Sequence, residues 1–218
     1  GTDRSWVLNL GVKLNEGTDF TVLMPDLRGP GENPIVPQSS LGGNETEDIL
    51  SAIDFLRTLK SEDNSVLVND EFGLYGVELG AVAAISAAAK EPKIKALVAD
   101  SVPLGSDDVL AEAIGKKYPF ASFITSKIAA VGTYPYFYNG GYDRELMCSV
   151  VKKISNRKVL LMATNETPHL QSTTSDIAEC FPAQTNLEKN LDLMPSGYNI
   201  MTVSNDQTGT YDLRVIDF

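Results

Sequence analysis

The chain has 218 residues, of which 43% are hydrophobic and 22% charged, and its formal net charge is -11. That length suits one domain with a sizeable core, and the ordinary hydrophobic content excludes wholesale disorder. So acidic a surface repels polyphosphate backbones and anionic headgroups, and neither nucleic acid nor a membrane is expected as a partner.

Phe20-Thr21-Val22-Leu23-Met24 is a β-branched apolar run between Asp19 and Pro25, and it predicts a buried parallel strand. Residues 27–41 are rich in Gly and Pro and predict a loop. Apolar positions at 49, 50, 53, 56 and 59 define a helical face over 46–59, with Asn44 or Thr46 as its cap. After the short apolar run Val66-Leu67-Val68, a second strand is predicted at 72–75, a small-residue helix at 79–90 and a third strand at 94–99. The stretch 102–157 breaks this rhythm. It holds helical patterns near 107–117 and 143–154 and an aromatic loop between them, Thr133 to Tyr142, and it predicts a helical lid inserted within a single domain spanning 1–218. Further strands are predicted at 159–163 and 198–203, and a closing helix at 210–218. Strands separated by helices imply an α/β fold with a mainly parallel sheet of about five strands flanked by helices.

No apolar run reaches the length of a bilayer span. The polar start Gly1-Thr2-Asp3-Arg4 gives no expectation of a signal peptide. Cys148 and Cys180 lack the paired spacing of a zinc site; two buried free thiols are expected, with a disulfide as the alternative, and the compartment stays open. The spacing of Gly73, Gly76 and Gly80 fits neither a phosphate-binding nor a dinucleotide-binding loop, so no cofactor is expected. Asp107-Asp108 reads as helix capping rather than a metal site.

Three segments, in order, carry a resemblance. Met24-Pro25-Asp26-Leu27-Arg28-Gly29-Pro30-Gly31 is similar to a "D-x-R-G-x-G" loop after an early strand. Gly73-Leu74-Tyr75-Gly76-Val77-Glu78-Leu79-Gly80, with the helix and strand that follow, resembles a nucleophile elbow. Leu160-Leu161-Met162-Ala163-Thr164-Asn165-Glu166-Thr167-Pro168 resembles a strand and loop bearing a catalytic acid. Together they resemble the α/β-hydrolase family over nearly the whole chain, and residues 211–218 look like its last helix. By that resemblance residues 6–14 are the helix after a central strand, which lies upstream, comes from a partner chain, or is missing because the sheet is rearranged; a strand at 7–12 would leave too few residues for a parallel crossover before Phe20.

The resemblance implies a triad, and the chain departs from it. Glu78 stands at the nucleophile position, where the family has serine, and Gly76 and Gly80 keep the small residues of the turn. Glu166 stands at the acid position. The base is expected within Ser204-Asn205-Asp206-Gln207-Thr208, none of which is histidine; the single histidine, His169, lies on the acid loop. The implied protein is a degenerate member that lacks serine-hydrolase chemistry and binds a ligand or a protein. The alternative is an enzyme using Glu78 as carboxylate nucleophile or base. Asp100, Val77, Leu79, His169 and Tyr136 are the candidate ligand-binding residues, and no metal is expected. A small molecule, a second copy, or a segment completing the sheet are the candidate partners. Arg28 and Asp26 are read as structural, held by pairing with nearby charges.

Overall fold

Four parallel strands form the sheet of the computed structural model, which describes residues 4–29, 39–117, 145–193 and 205–218. They are β1 (Phe72–Val77), β2 (Ile94–Asp100), β3 (Lys158–Met162) and β4 (Asn186–Asn190), hydrogen-bonded in the order β1-β2-β3-β4. Tyr75 is in register with Val98, Val98 with Leu160, and Leu160 with Glu188. The helices are α1 (Leu8–Gly17, after a 3-10 turn at Arg4–Val7), α2 (Gly43–Thr58), α3 (Leu79–Lys90), α4 (Ser106–Lys117), α5 (Met147–Val151), α6 (Pro168–Ala178) and α7 (Asn205–Ile216).

Side chains alternate across a strand, so an apolar run can serve two layers at once. Leu97, Ala99, Val159 and Leu161 point to a core shared with Ile53 of α2, Ile85 of α3, Val151 of α5 and Ile177 of α6. Val98, Leu160 and Met162 point to the opposite face, where they meet Leu10 of α1 and Tyr211 and Val215 of α7. Helix α3 is built almost wholly of small residues, and Ala81, Ala83 and Ala87 are fully buried. Without large side chains between them, helix and sheet approach closely, which sets the height of the β1–α3 turn.

The cap of α2 differs from the sequence expectation. Gly42, at φ 113°, is the N-cap, and Glu45 accepts its N–H at 3.0 Å. The buried Glu45 carboxylate also accepts from Ser39 Oγ at 2.6 Å and Ser40 N at 2.8 Å, so it is solvated by the loop it closes. Arg28 reaches Asp48 of α2 through two guanidinium nitrogens, the fork geometry that suits a carboxylate, and Arg4 pairs with Asp26 at 3.2 Å.

Several expectations are corrected. The run 20–24 is extended but pairs with no described strand, because β1 pairs only with β2 among the described residues; Phe20 is 66% and Leu23 40% exposed. The fourth strand is instead the polar Asn186–Asn190, which its single leucine did not announce. Cys148 and Cys180 form a disulfide rather than two thiols, their Cα atoms 5.3 Å apart. The helix expected near 143–154 is reduced to α5, and the closing helix starts earlier, at Asn205. The expected strand 198–203 and the aromatic loop 133–142 lie outside the described residues.

Candidate functional site

Parallel strands deliver their C-terminal ends, and the loops that follow, to one edge of the sheet. At that edge Val77 ends β1 and Glu78 and Leu79 follow it, Asp100 ends β2 and Ser101 follows it, and Glu166 follows β3. Three non-glycine residues at or near these loops have positive φ: Leu41 at 57°, Glu78 at 49° and Ser101 at 55°. Strained backbone of this kind persists where the surrounding fold over-determines it, and it concentrates at functional positions.

The turn at Glu78 is the sharpest of them. With φ 49° and ψ -112°, Glu78 mirrors the first central residue of a type II turn, whose angles are about -60° and +120°, a conformation that normally selects glycine. Its N–H donates to the Asp100 carbonyl at 2.9 Å, continuing the ladder between β1 and β2, while its own carbonyl accepts from Val82 N at 3.1 Å, opening α3. One residue therefore ends the strand and starts the helix. The chain doubles back so tightly that a Cβ on Gly76 would lie 2.3 Å from the Gly80 carbonyl oxygen. Gly76 is thus compulsory, whereas a Cβ on Gly80 would meet nothing within 4 Å. Gly80 contributes backbone to the contact rather than its lack of a side chain.

Asp100 is fully buried rather than open to a cleft. It lies two residues past Val98, on the same face of β2, and accepts from Tyr211 Oη at 2.7 Å and Ser101 Oγ at 2.8 Å. Tyr211 in turn shares a hydrogen bond of 2.6 Å with Tyr75 of β1. Burial, then the neighbouring Asp100 carboxylate, pushes both phenols well above their usual range, so they serve as neutral hydroxyls. This network ties α7 to β1 and to the end of β2. Tyr211 belongs to the segment that resembles the family's last helix but is not among the candidate site residues; its spacing of four from Val215, which marks the inward face of α7, is the signal that points to it.

Glu166 lies exposed in the turn between β3 and α6, where its N–H donates to Thr164 Oγ1 at 3.3 Å. His169 is not a loop residue but part of the first turn of α6, after Pro168 at the helix start. Its Nε2 lies 2.9 Å from Asp108 Oδ1, and the other oxygen of Asp108 accepts from Leu104 N at 3.0 Å, so Asp108 caps α4 and meets His169 at once. A cavity of about 300 Å³ opens beside this pair between Leu104, Ala111 and Leu146, and none of Val77, Glu78, Leu79, Asp100 or Glu166 lines it. Tyr136 lies outside the described residues. Among the described residues no group of three or more His, Cys, Asp or Glu could hold a metal ion, and no helix is long and apolar enough to cross a membrane.

No family model and no curated protein matches the chain in sequence. Solved structures do match in three dimensions. The esterase Pf2001 of Pyrococcus furiosus superposes with a TM-score of 0.61 at 18% identity, covering 99% of this chain and 77% of that one. The α/β hydrolase GrgF from Penicillium gives 0.58 at 13% identity over 100% and 87%, and a lipase-esterase related protein from Clostridium acetobutylicum gives 0.58 at 14% over 100% and 91%. At such identities the likeness is one of fold, and the fold is that of the α/β hydrolases.

Proposed function

We propose that this chain is an α/β-hydrolase-fold protein that does not work as a serine hydrolase and uses the C-terminal edge of its sheet to bind a ligand or a protein. The observation that carries this reading is the strand-to-helix turn at Glu78, which keeps a backbone conformation suited to presenting a nucleophile but presents a carboxylate. A carboxylate has no proton to surrender at neutral pH, so the serine relay has no starting point. The engagement of His169, the chain's one histidine, with Asp108 supports the same reading.

On this account Glu78 and Glu166 stand at the nucleophile and acid positions. Val77 and Leu79 belong to the binding edge, the buried Asp100 supports it from within, and residues 102–157 are its lid within one domain. Carboxylates gathered at one edge of a chain of net charge -11 favour a cationic small molecule. A thermal-shift screen of small amines and guanidines against the wild-type chain and Glu78→Gln tests this. At least one compound is expected to raise the melting temperature of the wild type and lose that effect in the variant. Equal shifts in both proteins would remove Glu78 from the binding edge.

The strain at Glu78 also favours a second reading, an enzyme in which Glu78 is a carboxylate nucleophile or base. It requires turnover that disappears in Glu78→Gln while the fold is kept. As to partners, the edge of β1 that no described strand pairs supports completion of the sheet by one more strand, from the same polypeptide or from another chain. Co-expression with the upstream coding segment is expected to protect the β1 amides from hydrogen exchange. Unchanged exchange would count against that completion.

A further inference from the structure

The disulfide anchors the shortest α-helix among the described residues. Helix α5 has only five residues, far below the length at which a helix holds itself in water, roughly 12–15 residues. It is kept in place by burial of Met147, Val150 and Val151, by Met147 N donating to the Leu104 carbonyl at 2.8 Å, and by the bond from Cys148. The partner, Cys180, lies two residues beyond the end of α6, and with Phe181 it packs against the core beneath α3. The closed loop contains the end of α5, the whole of β3 and the whole of α6, the cysteines having a sequence separation of 32. One covalent bond therefore joins the short helix to the layer that carries Glu166 and His169.

We infer that the Cys148–Cys180 disulfide is a redox-dependent staple on the α5–β3–α6 unit, so that the chain reaches full stability only in an oxidising compartment and loses part of it on exposure to a dithiol reductant. In the reduced form each sulfur has gained one electron and one proton. Both electrons and both protons come from the dithiol, which closes to its own cyclic disulfide. Closing a loop of this length restricts the unfolded chain, and opening it is expected to shift the unfolding equilibrium about 500-fold toward the unfolded state. For a chain of this size that corresponds to a fall in melting temperature of about 7–15 °C. The α6 helix has a second attachment independent of the bond. Thr174 Oγ1 accepts from Val102 N at 2.9 Å, and Thr173 Oγ1 donates to the Val102 carbonyl at 2.7 Å. Reduction is therefore expected to destabilise the chain without unfolding it at room temperature.

The test uses the full chain produced in an oxidising compartment. Thiol titration in denaturant is expected to find no free thiol before dithiothreitol and two after it. The melting temperature of the reduced wild type should fall by the stated amount, and Cys148→Ala/Cys180→Ala should melt at that lower temperature with or without reductant. If the double variant fails to fold, the reduced wild type, which was folded before reduction, gives the answer. Two free thiols in the untreated protein, or a reduced wild type that melts at the oxidised temperature, would overturn the inference.

Discussion

Replacing Glu78 by alanine and, separately, by glycine isolates the strain of the turn from the chemistry of its side chain. Both variants lose the carboxylate, but only glycine occupies φ 49° and ψ -112° without a Cβ clash. Strained positions of this class cost about 1–3 kcal/mol, while glycine gives back about 0.5–1 kcal/mol through the added freedom of the unfolded chain. Glu78→Gly is therefore expected to be more stable than Glu78→Ala by about 1 kcal/mol, a difference of about 2–4 °C in melting temperature for a chain of this length. Urea melts of the two variants beside the wild type, with equal slopes, measure it directly. Inside an ordinary helical turn with negative φ, alanine would instead be the more stable of the two by about 1 kcal/mol. Alanine as stable as glycine, or more stable, would refute the claim that the fold holds residue 78 in a strained elbow.

The remaining expectations follow from neighbouring contacts. Gly76→Ala places a Cβ 2.3 Å from the Gly80 carbonyl oxygen and should cost about 3 kcal/mol or more in a denaturant melt, whereas Gly80→Ala, with open space at its Cβ, should be neutral or stabilising by up to about 1 kcal/mol. Tyr211→Phe removes a hydrogen bond to a buried carboxylate and strands the Tyr75 hydroxyl, so its cost should be about 2–3 kcal/mol, read by the same melts. The Arg28 guanidinium, hydrogen-bonded to Asp48, holds that carboxyl below its ordinary value of 3.8. A depressed carboxylate stabilises the fold above its unfolded pKa and loses that contribution as pH falls through the folded one. Acid titration of stability below about pH 4 should thus be shallower in Asp48→Asn than in the wild type.

The sequence made the central layer legible because its signals were strong. The runs 72–75, 94–99 and 159–163 are short, apolar and separated by helical periods, and they became β1, β2 and β3 nearly as read. The alanine-rich run became α3, and the positions of Gly76 and Glu78 marked the turn. Other parts were illegible for physical reasons. Residues 20–24 have the composition of a strand, but a strand exists only when a neighbour supplies its hydrogen bonds, and composition does not reveal the neighbour. Asn186–Asn190 has the opposite problem: its backbone pairs with β3 although its side chains give no apolar signal. The approach of Cys148 to Cys180 depends on how α5 and α6 pack, which spacing alone does not encode. At the candidate site, Glu78 and Glu166 were reached through their motifs. The placement of Asp100 behind Tyr211 required the register of β1 and β2 together with the inward face of α7.

The central claim is that the elbow presents a carboxylate and the chain does not run serine-hydrolase chemistry. Its most direct test is turnover of a broad ester and thioester panel by the purified chain, with Glu78→Gln as control. The account predicts rates for the wild type indistinguishable from those of the variant. Turnover by the wild type that is lost in a folded Glu78→Gln would contradict it and make Glu78 the centre of a carboxylate mechanism.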